Sequence, residues 1–176
     1  MGFKKSAPPS RLIFHSMSDP FIDFVSLQKT YIDKGFTEQN WYDAWRSDVL
    51  QSPTDATLFP ALSGKKLASF YMRMPTGEDM LFVRDEAMRY TRPGNEYYRR
   101  HEAAENTFLF RSCLVRATNV FDDPDSPQVF DDDVRGEGEV KGRLSDVIAD
   151  LPLHVQGNVG MLFKKAIEVA TEKQGK

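Results

Sequence analysis

Apolar side chains recur at three- and four-residue intervals through most of this chain, the spacing that places them on one face of an α-helix. Proline and glycine divide the pattern into segments that each match a single helix. Residues 57–74 depart from this spacing and contain two apolar runs around a Ser-Gly-Lys-Lys turn. Such runs predict a β-hairpin. The sequence therefore predicts an α+β fold that is predominantly helical, with one small β-hairpin.

The chain of 176 residues is long enough for one domain with a core and too short for two full-sized domains. Changes in its composition divide it into four parts. We expect a flexible N-terminal arm over residues 1–17, a helical core over 18–118 with the hairpin near 57–74, an acidic turn-rich linker over 119–142, and a C-terminal helical segment over 143–176.

Four helices are expected in the predicted core, and two of them have recognisable boundary signals. Ser18 or Asp19 can cap the first helix, which is expected to end near Gly35. A second short helix follows at once, so that the two form an aromatic helical hairpin. The hydroxyl of Thr76 can accept an amide hydrogen three residues later, which predicts a helix start there. A long central helix is expected over residues 96–116.

The charge and cysteine content exclude several classes of protein. The chain carries 23 Lys and Arg against 26 Asp and Glu, a net charge of −3. This balance provides no bulk attraction to nucleic acid or anionic lipid, and no apolar run approaches the roughly 20 residues that cross a bilayer. Cys113 is the single cysteine, so an internal disulfide is excluded. We expect a protein of the reducing cytoplasm that binds neither nucleic acid nor membrane.

The residues that could carry chemistry lack the spacing that chemistry needs. Asp123, Asp125 and the aspartates at 131–133 suggest a calcium loop, but the central glycine is absent and Val134 replaces the closing glutamate. Turns and a helix cap are the favoured interpretation. The histidines are scattered, and Cys113 lies on the apolar side of the central helix without a histidine near it in sequence. We expect no catalytic residue, no metal, no cofactor and no enzymatic activity.

Six arginines in the middle of the chain alternate with tyrosines, a pattern that can bind phosphate and stack on bases. Acidic residues are interspersed among them and leave the region nearly neutral, which favours a solvated helical face with ion pairs. The six are Arg84, Arg89, Arg92, Arg99, Arg100 and Arg111.

Three short motifs follow one another in a fixed order. They are Arg-Met-Pro-Thr-Gly-Glu-Asp at 73–79, Arg-Ser-Cys-Leu-Val at 111–115 and Val-Phe-Asp-Asp-Asp-Val at 129–134. A terminal amphipathic helix comes after them. In this order, over about residues 57–172, the chain resembles the tail assembly chaperones of long-tailed bacteriophages.

This resemblance implies a viral protein without enzymatic activity that works in the cytoplasm of the bacterial host. Such a chaperone binds the hydrophobic tape measure protein, keeps it soluble, and yields to tail tube proteins as the tube polymerises. The alternative is a structural virion protein, such as a small tail, connector or baseplate subunit. A third possibility is a small regulator that binds one host protein.

The sequence also offers candidate contact residues for protein partners. Methionine provides the flexible apolar surface that promiscuous binding proteins use, and the terminal helix has a regular apolar stripe that could exchange between partners. The predicted partner-binding residues are Met72, Met74, Met80, Val159, Leu162, Phe163 and Ala166. Self-association is expected as well, because a small hairpin is unstable alone and Trp41, Tyr42 and Trp45 crowd one short helix.

Overall fold

Six α-helices and five β-strands form the part of the chain that the computed structural model describes, residues 10–13, 22–89, 97–133 and 140–174. The helices are α1 (Phe24–Asp33), α2 (Trp41–Gln51), α3 (Gly77–Met88), α4 (Tyr97–Cys113), α5 (Leu144–Asp150) and α6 (Leu153–Gln174). The strands are β1 (Ser10–Ile13), β2 (Ser69–Met72), β3 (Leu114–Thr118), β4 (Val129–Phe130) and β5 (Lys141–Gly142). The predicted class, an α+β fold that is predominantly helical, is confirmed.

The strands form one sheet in which neighbours in sequence are neighbours in space. β1 to β4 pair antiparallel, and β4 pairs with β5 in parallel. In the middle of the sheet, Phe70 of β2 lies opposite Ala117 of β3, and both are fully buried. This face packs on α4, where the rings of Phe70 and Phe110 meet edge to face with centroids 5.6 Å apart.

The predicted hairpin near residues 57–74 is wrong in its pairing, although its second half does contain β2. The partners of β2 are β1 and β3, and a short 3-10 helix, Ala56–Leu58, occupies the start of the stretch. Pro60 explains the difference, because proline has no N–H for a sheet ladder. Its carbonyl instead accepts a hydrogen bond of 2.8 Å from the backbone N–H of Asp23. This segment therefore supports the start of α1.

Parts of both predicted irregular segments belong to the sheet. Residues 10–13, placed in the flexible arm over 1–17, form the edge strand β1. In the predicted linker over 119–142, β4 and β5 pair, and Gly142 lies so close to Phe130 that a Cβ there would come within 2.6 Å of its ring. The prediction is wrong for residues 10–13, because the strand with which they pair, β2, is distant in sequence. The rest of the arm and the stretch 134–139 lie outside the described residues.

The helix boundaries follow local signals, with two corrections. α1 begins at Phe24 rather than after Ser18 or Asp19, because Ile22 still bridges to Ala61 in an extended conformation. The Asp23 side chain then caps α1 by accepting the N–H of Ser26 at 3.1 Å. The predicted central helix ends earlier than expected, because the residues after Cys113 join the sheet as β3.

The end of α1 and the start of α3 confirm their predictions. Gly35 follows α1 with a φ of 107°, a left-handed conformation that favours glycine. At the start of α3, the Thr76 side chain accepts the N–H of Asp79 as predicted, and the Asp79 carboxylate also accepts the N–H of Thr76, which makes a capping box.

Two hydrophobic clusters make up the core, and α6 belongs to both. The N-terminal cluster joins α1 and α2 around Trp45, whose indole N–H donates to the Leu58 carbonyl at 2.7 Å. The second cluster lies between the sheet and the helices α3 to α6. Leu162 enters the N-terminal cluster and the adjacent Phe163 enters the second, each only 1% exposed. α6 therefore holds the two clusters together.

The crossing of α4 and α6 depends on a glycine at the point of closest approach. A Cβ built on Gly160 would overlap the backbone carbonyl of Asn106. One turn earlier in α6, a Cβ on Gly157 would lie 3.4 Å from the Thr107 Oγ1, an ordinary contact with a side chain. Of the two glycines, only Gly160 is therefore required for the two helices to pack this closely.

We expect Gly160→Ala to lower the free energy of unfolding by about 1–3 kcal/mol, because the added methyl group forces α4 and α6 apart. Gly157→Ala is the matched control and should leave stability unchanged or raise it by up to about 1 kcal/mol through its better helix propensity. Urea denaturation followed by circular dichroism measures both. Equal stability of the two variants would contradict the close crossing.

Candidate functional site

A groove of about 520 Å³ lies between α4 and the N-terminal half of α6. Ala103, Ala104 and Gly157 line it with small side chains, and Phe108, Leu153 and Met161 line it with larger apolar ones. Its volume is typical of ligand and peptide sites. The tight crossing at Gly160 brings the two helices together, and the small residues beside that crossing leave the space between them open.

One side of the groove carries a positively charged group with a fixed orientation. The Arg111 Nε donates to the Gln156 Oε1 at 2.9 Å, and the guanidinium carbon lies 5.7 Å from the centroid of the Phe108 ring. Gln156 is 1% exposed, and its Nε2 donates to the carbonyls of Ile148 at 2.9 Å and Leu151 at 2.8 Å. The buried amide of Gln156 thus fixes the orientation of Arg111, which is the kind of support that preorganises a binding group.

A second polar group of the groove lacks a partner. Asn106 is 8% exposed, lines the groove, and has a buried Oδ1 that accepts no hydrogen bond within the described part of the chain. An unsatisfied buried acceptor costs about 1–3 kcal/mol. A molecule that donated a hydrogen bond to Asn106 would remove this penalty.

The solvent side of α3 exposes a strip of large apolar side chains. Met80 is 44% exposed, Leu81 62% and Met88 49%, and we call these three residues the α3 strip. Val83 and Ala87, on the adjoining side of α3, anchor the helix in the core. α3 is therefore held in the core along one side and exposes large apolar side chains next to it.

The structure separates the seven predicted partner-binding residues into two groups. Met72, Val159, Leu162 and Phe163 are buried in the core, so the prediction that they face a partner needs correction for this fold. They are buried because β2 is covered by helices and α6 spans both clusters. The remaining three stay candidates: Met80 is exposed, and Met74 and Ala166 are half-buried.

The groove is not among the sequence predictions, because these predictions assign no role to Asn106 or Gln156 and treat Arg111 as one of six solvated arginines. Asn106 precedes Leu109 and Phe110 at helical spacing, and Gln156 lies at helical spacing between Leu153 and Val159. A buried polar residue marks either a hydrogen-bond network or a site, and this signal could have drawn attention to both positions. Arg111 was grouped with the solvated arginines, of which Arg84 and Arg89 are indeed exposed and Arg89 pairs with Glu86.

The aspartates of the linker serve the backbone. The Asp123 side chain accepts the N–H of Asp125, Asp131 accepts that of Asp133, and Asp132 accepts that of Leu144 at the start of α5. The interpretation as turns and a helix cap is confirmed. The described residues contain no group of three or more His, Cys, Asp or Glu side chains arranged to hold a metal ion.

The predicted burial of Cys113 is confirmed. The residue is fully buried, and this burial raises the pKa of its thiol to about 11. A thiol with a pKa this far above neutrality carries almost no thiolate, the reactive form. Cys113 therefore acts as a small apolar residue of the core.

A polar cluster around Arg73 joins three elements at the end of β2. The guanidinium makes two hydrogen bonds to the Asp79 carboxylate, at 2.6 and 3.0 Å, and one of 2.7 Å to the carbonyl of Ser112 near the end of α4. The bonds from Arg73, assisted by the N–H and hydroxyl of Thr76, hold the pKa of Asp79 well below its usual range. The capping box of α3 is thereby tied to β2 and α4.

Comparison of this chain with protein-family models, with curated proteins and with solved structures gives no match. Among the helices of the described ranges, none combines the length and the apolar character that crossing a bilayer requires.

We expect Asp79→Asn to lower the free energy of unfolding at pH 7 by roughly 1–3 kcal/mol, because it removes the ion pair and weakens the capping box. Since the folded pKa of Asp79 is lowered, its stabilising effect is complete above the unfolded value of about 3.9 and declines as the pH falls below it. The difference between wild type and variant should therefore shrink below about pH 4. Urea denaturation across pH 2–7 measures it.

The control for this experiment is Glu78→Gln, which removes a negative charge from the same helical turn at an exposed position. It should have a much smaller effect. A stability loss that is equal for both variants, or that does not depend on pH, would contradict the role assigned to Asp79.

Proposed function

We propose that this protein is a non-enzymatic tail assembly chaperone of a long-tailed bacteriophage, which binds the tape measure protein in the host cytoplasm and assists tail tube polymerisation. The motif order over residues 57–172 supports this assignment. The observation that carries it is the exposed α3 strip of Met80, Leu81 and Met88.

The α3 strip suits an apolar client of variable sequence. Two of its three residues are methionines, whose unbranched side chains adapt to differently shaped partners. Val83 and Ala87 anchor α3 in the core, and the Arg73–Asp79 pair fixes its first turn. The strip is therefore a flexible apolar surface on a rigidly held helix.

The size of the strip favours a contact that the client can leave. Stable interfaces bury about 800 Å² per partner, which is more than three side chains provide. A chaperone must release its client when the tail tube forms, and a limited apolar contact allows this. A permanent virion subunit, the alternative function, would need more extensive contacts with its neighbours.

We expect replacement of the α3 strip by glutamine, in a Met80→Gln, Leu81→Gln, Met88→Gln triple variant, to abolish solubilisation of the client. The assay is co-expression with the tape measure protein encoded by the same genome, followed by measurement of its soluble fraction. Because all three side chains are exposed, the variant should unfold at the same temperature as wild type. Val25→Gln, which alters an 80% exposed apolar residue on α1, is the control and should behave like wild type.

Two outcomes would contradict the proposal. If the wild-type chain leaves the tape measure protein insoluble, the chaperone function fails. If a mass-spectrometric inventory of mature particles contains the chain at a fixed copy number, the alternative function, a structural virion protein, replaces it. Self-association stays a prediction, which light scattering of the purified chain measures independently.

A further inference from the structure

We infer that the groove between α4 and α6 docks an amphipathic helix of a partner protein, and that this helix carries an acidic residue at the edge of its apolar face. The site is separate from the α3 strip. The inference depends on the proposed function in one respect: that the partner is a protein.

The shape of the groove fits a helix. Ala103, Thr107 and Arg111 follow one another along α4 at intervals of one turn, and Leu153, Gly157 and Met161 do the same along α6. Both rows span two turns, about 12 Å at 1.5 Å per residue. Two helices with small residues between them form the kind of elongated groove into which a third helix packs its side chains.

The charge of the groove selects an acidic partner. Arg111 contacts a neutral amide and an aromatic ring, and within the described residues no carboxylate pairs with it. The buried Gln156 already fixes the guanidinium by accepting a hydrogen bond from the Arg111 Nε. The two terminal nitrogens of Arg111 can therefore bind a carboxylate with little further loss of side-chain entropy. An arginine held in this way matches the geometry of Asp and Glu side chains.

Two further features extend this complementarity. Leu153, 64% exposed, stands at the α6 side and offers apolar surface to an incoming helix. On the α4 side, Phe108 lines the groove and stacks edge to face on the half-exposed Phe82 of α3. The Oδ1 of Asn106 still lacks a donor, which a hydroxyl or amide on the partner helix would supply.

The test uses two synthetic amphipathic peptides that carry leucine and alanine on one face and differ only in a Glu or a Gln at the edge of that face. Fluorescence anisotropy measures their binding to the full chain. We expect the Glu peptide to bind about tenfold more tightly than the Gln peptide, the effect of one charge-assisted hydrogen bond. In the bound state, hydrogen exchange should slow over residues 103–111 and 153–161.

Variants of the chain assign this binding to the groove. Arg111→Gln should remove the preference for the Glu peptide, and Leu153→Asp should abolish binding of both peptides. Arg111→Gln changes a partner of the buried Gln156 and could perturb the fold. Leu153→Asp avoids this problem, because Leu153 is exposed and its replacement leaves the fold intact. Val25→Asp, an equally drastic change at an exposed residue of α1, is the control and should bind like wild type.

The inference is overturned if the Glu peptide does not bind, if both peptides bind equally, or if Leu153→Asp binds like wild type. It is also overturned if decanoate, a free apolar carboxylate, binds more tightly and displaces the peptide, since the site then takes a small molecule. These results are independent of the proposed function. The α3 strip can solubilise a client while the groove stays empty, and the groove can bind the peptide while co-expression fails.

Discussion

The close crossing of α4 and α6 at Gly160 is the contact on which the rest of the structure depends. Gly160 has no side chain, and the backbone of α4 occupies the space that a side chain would fill. α6 therefore lies near enough to α4 to enter both hydrophobic clusters. The same close approach lets Gln156 of α6 hydrogen-bond both to Ile148 of α5 and to Arg111 of α4. The core, the buried polar network and the groove thus share one steric requirement.

Buried polar groups in this protein fall into two kinds. Gln156 is satisfied by two carbonyls and an arginine, and it fixes the relative positions of α4, α5 and α6. Asn106 lies in the same crossing, and its side-chain Oδ1 accepts no hydrogen bond from the described residues. A folded protein tolerates such an acceptor at a loss of stability. The contrast between these two amides separates the part of the crossing whose hydrogen bonds are complete from the part that retains an unpaired acceptor.

Sequence reasoning succeeded where the interacting residues are close in the chain. The Thr76 helix cap and the end of α1 at Gly35 involve residues a few positions apart, so their spacing is visible in the sequence. The pairing of β1 with β2 joins Ser10 to Met72, and nothing local encodes such a partner. Amphipathic spacing in α6 correctly predicted a helix with a buried face, but it could not tell that the core, rather than another protein, covers Leu162 and Phe163. The groove requires both α4 and α6 to be positioned, and no single segment contains it.

The adjacent residues Leu162 and Phe163 point into different clusters because successive side chains on a helix diverge by about 100°. Rolling α6 about its own axis would withdraw one of them from its cluster. The helix is therefore locked in rotation as well as in position. Through this lock, a change in the packing of one cluster is transmitted to the other by the rotation of α6.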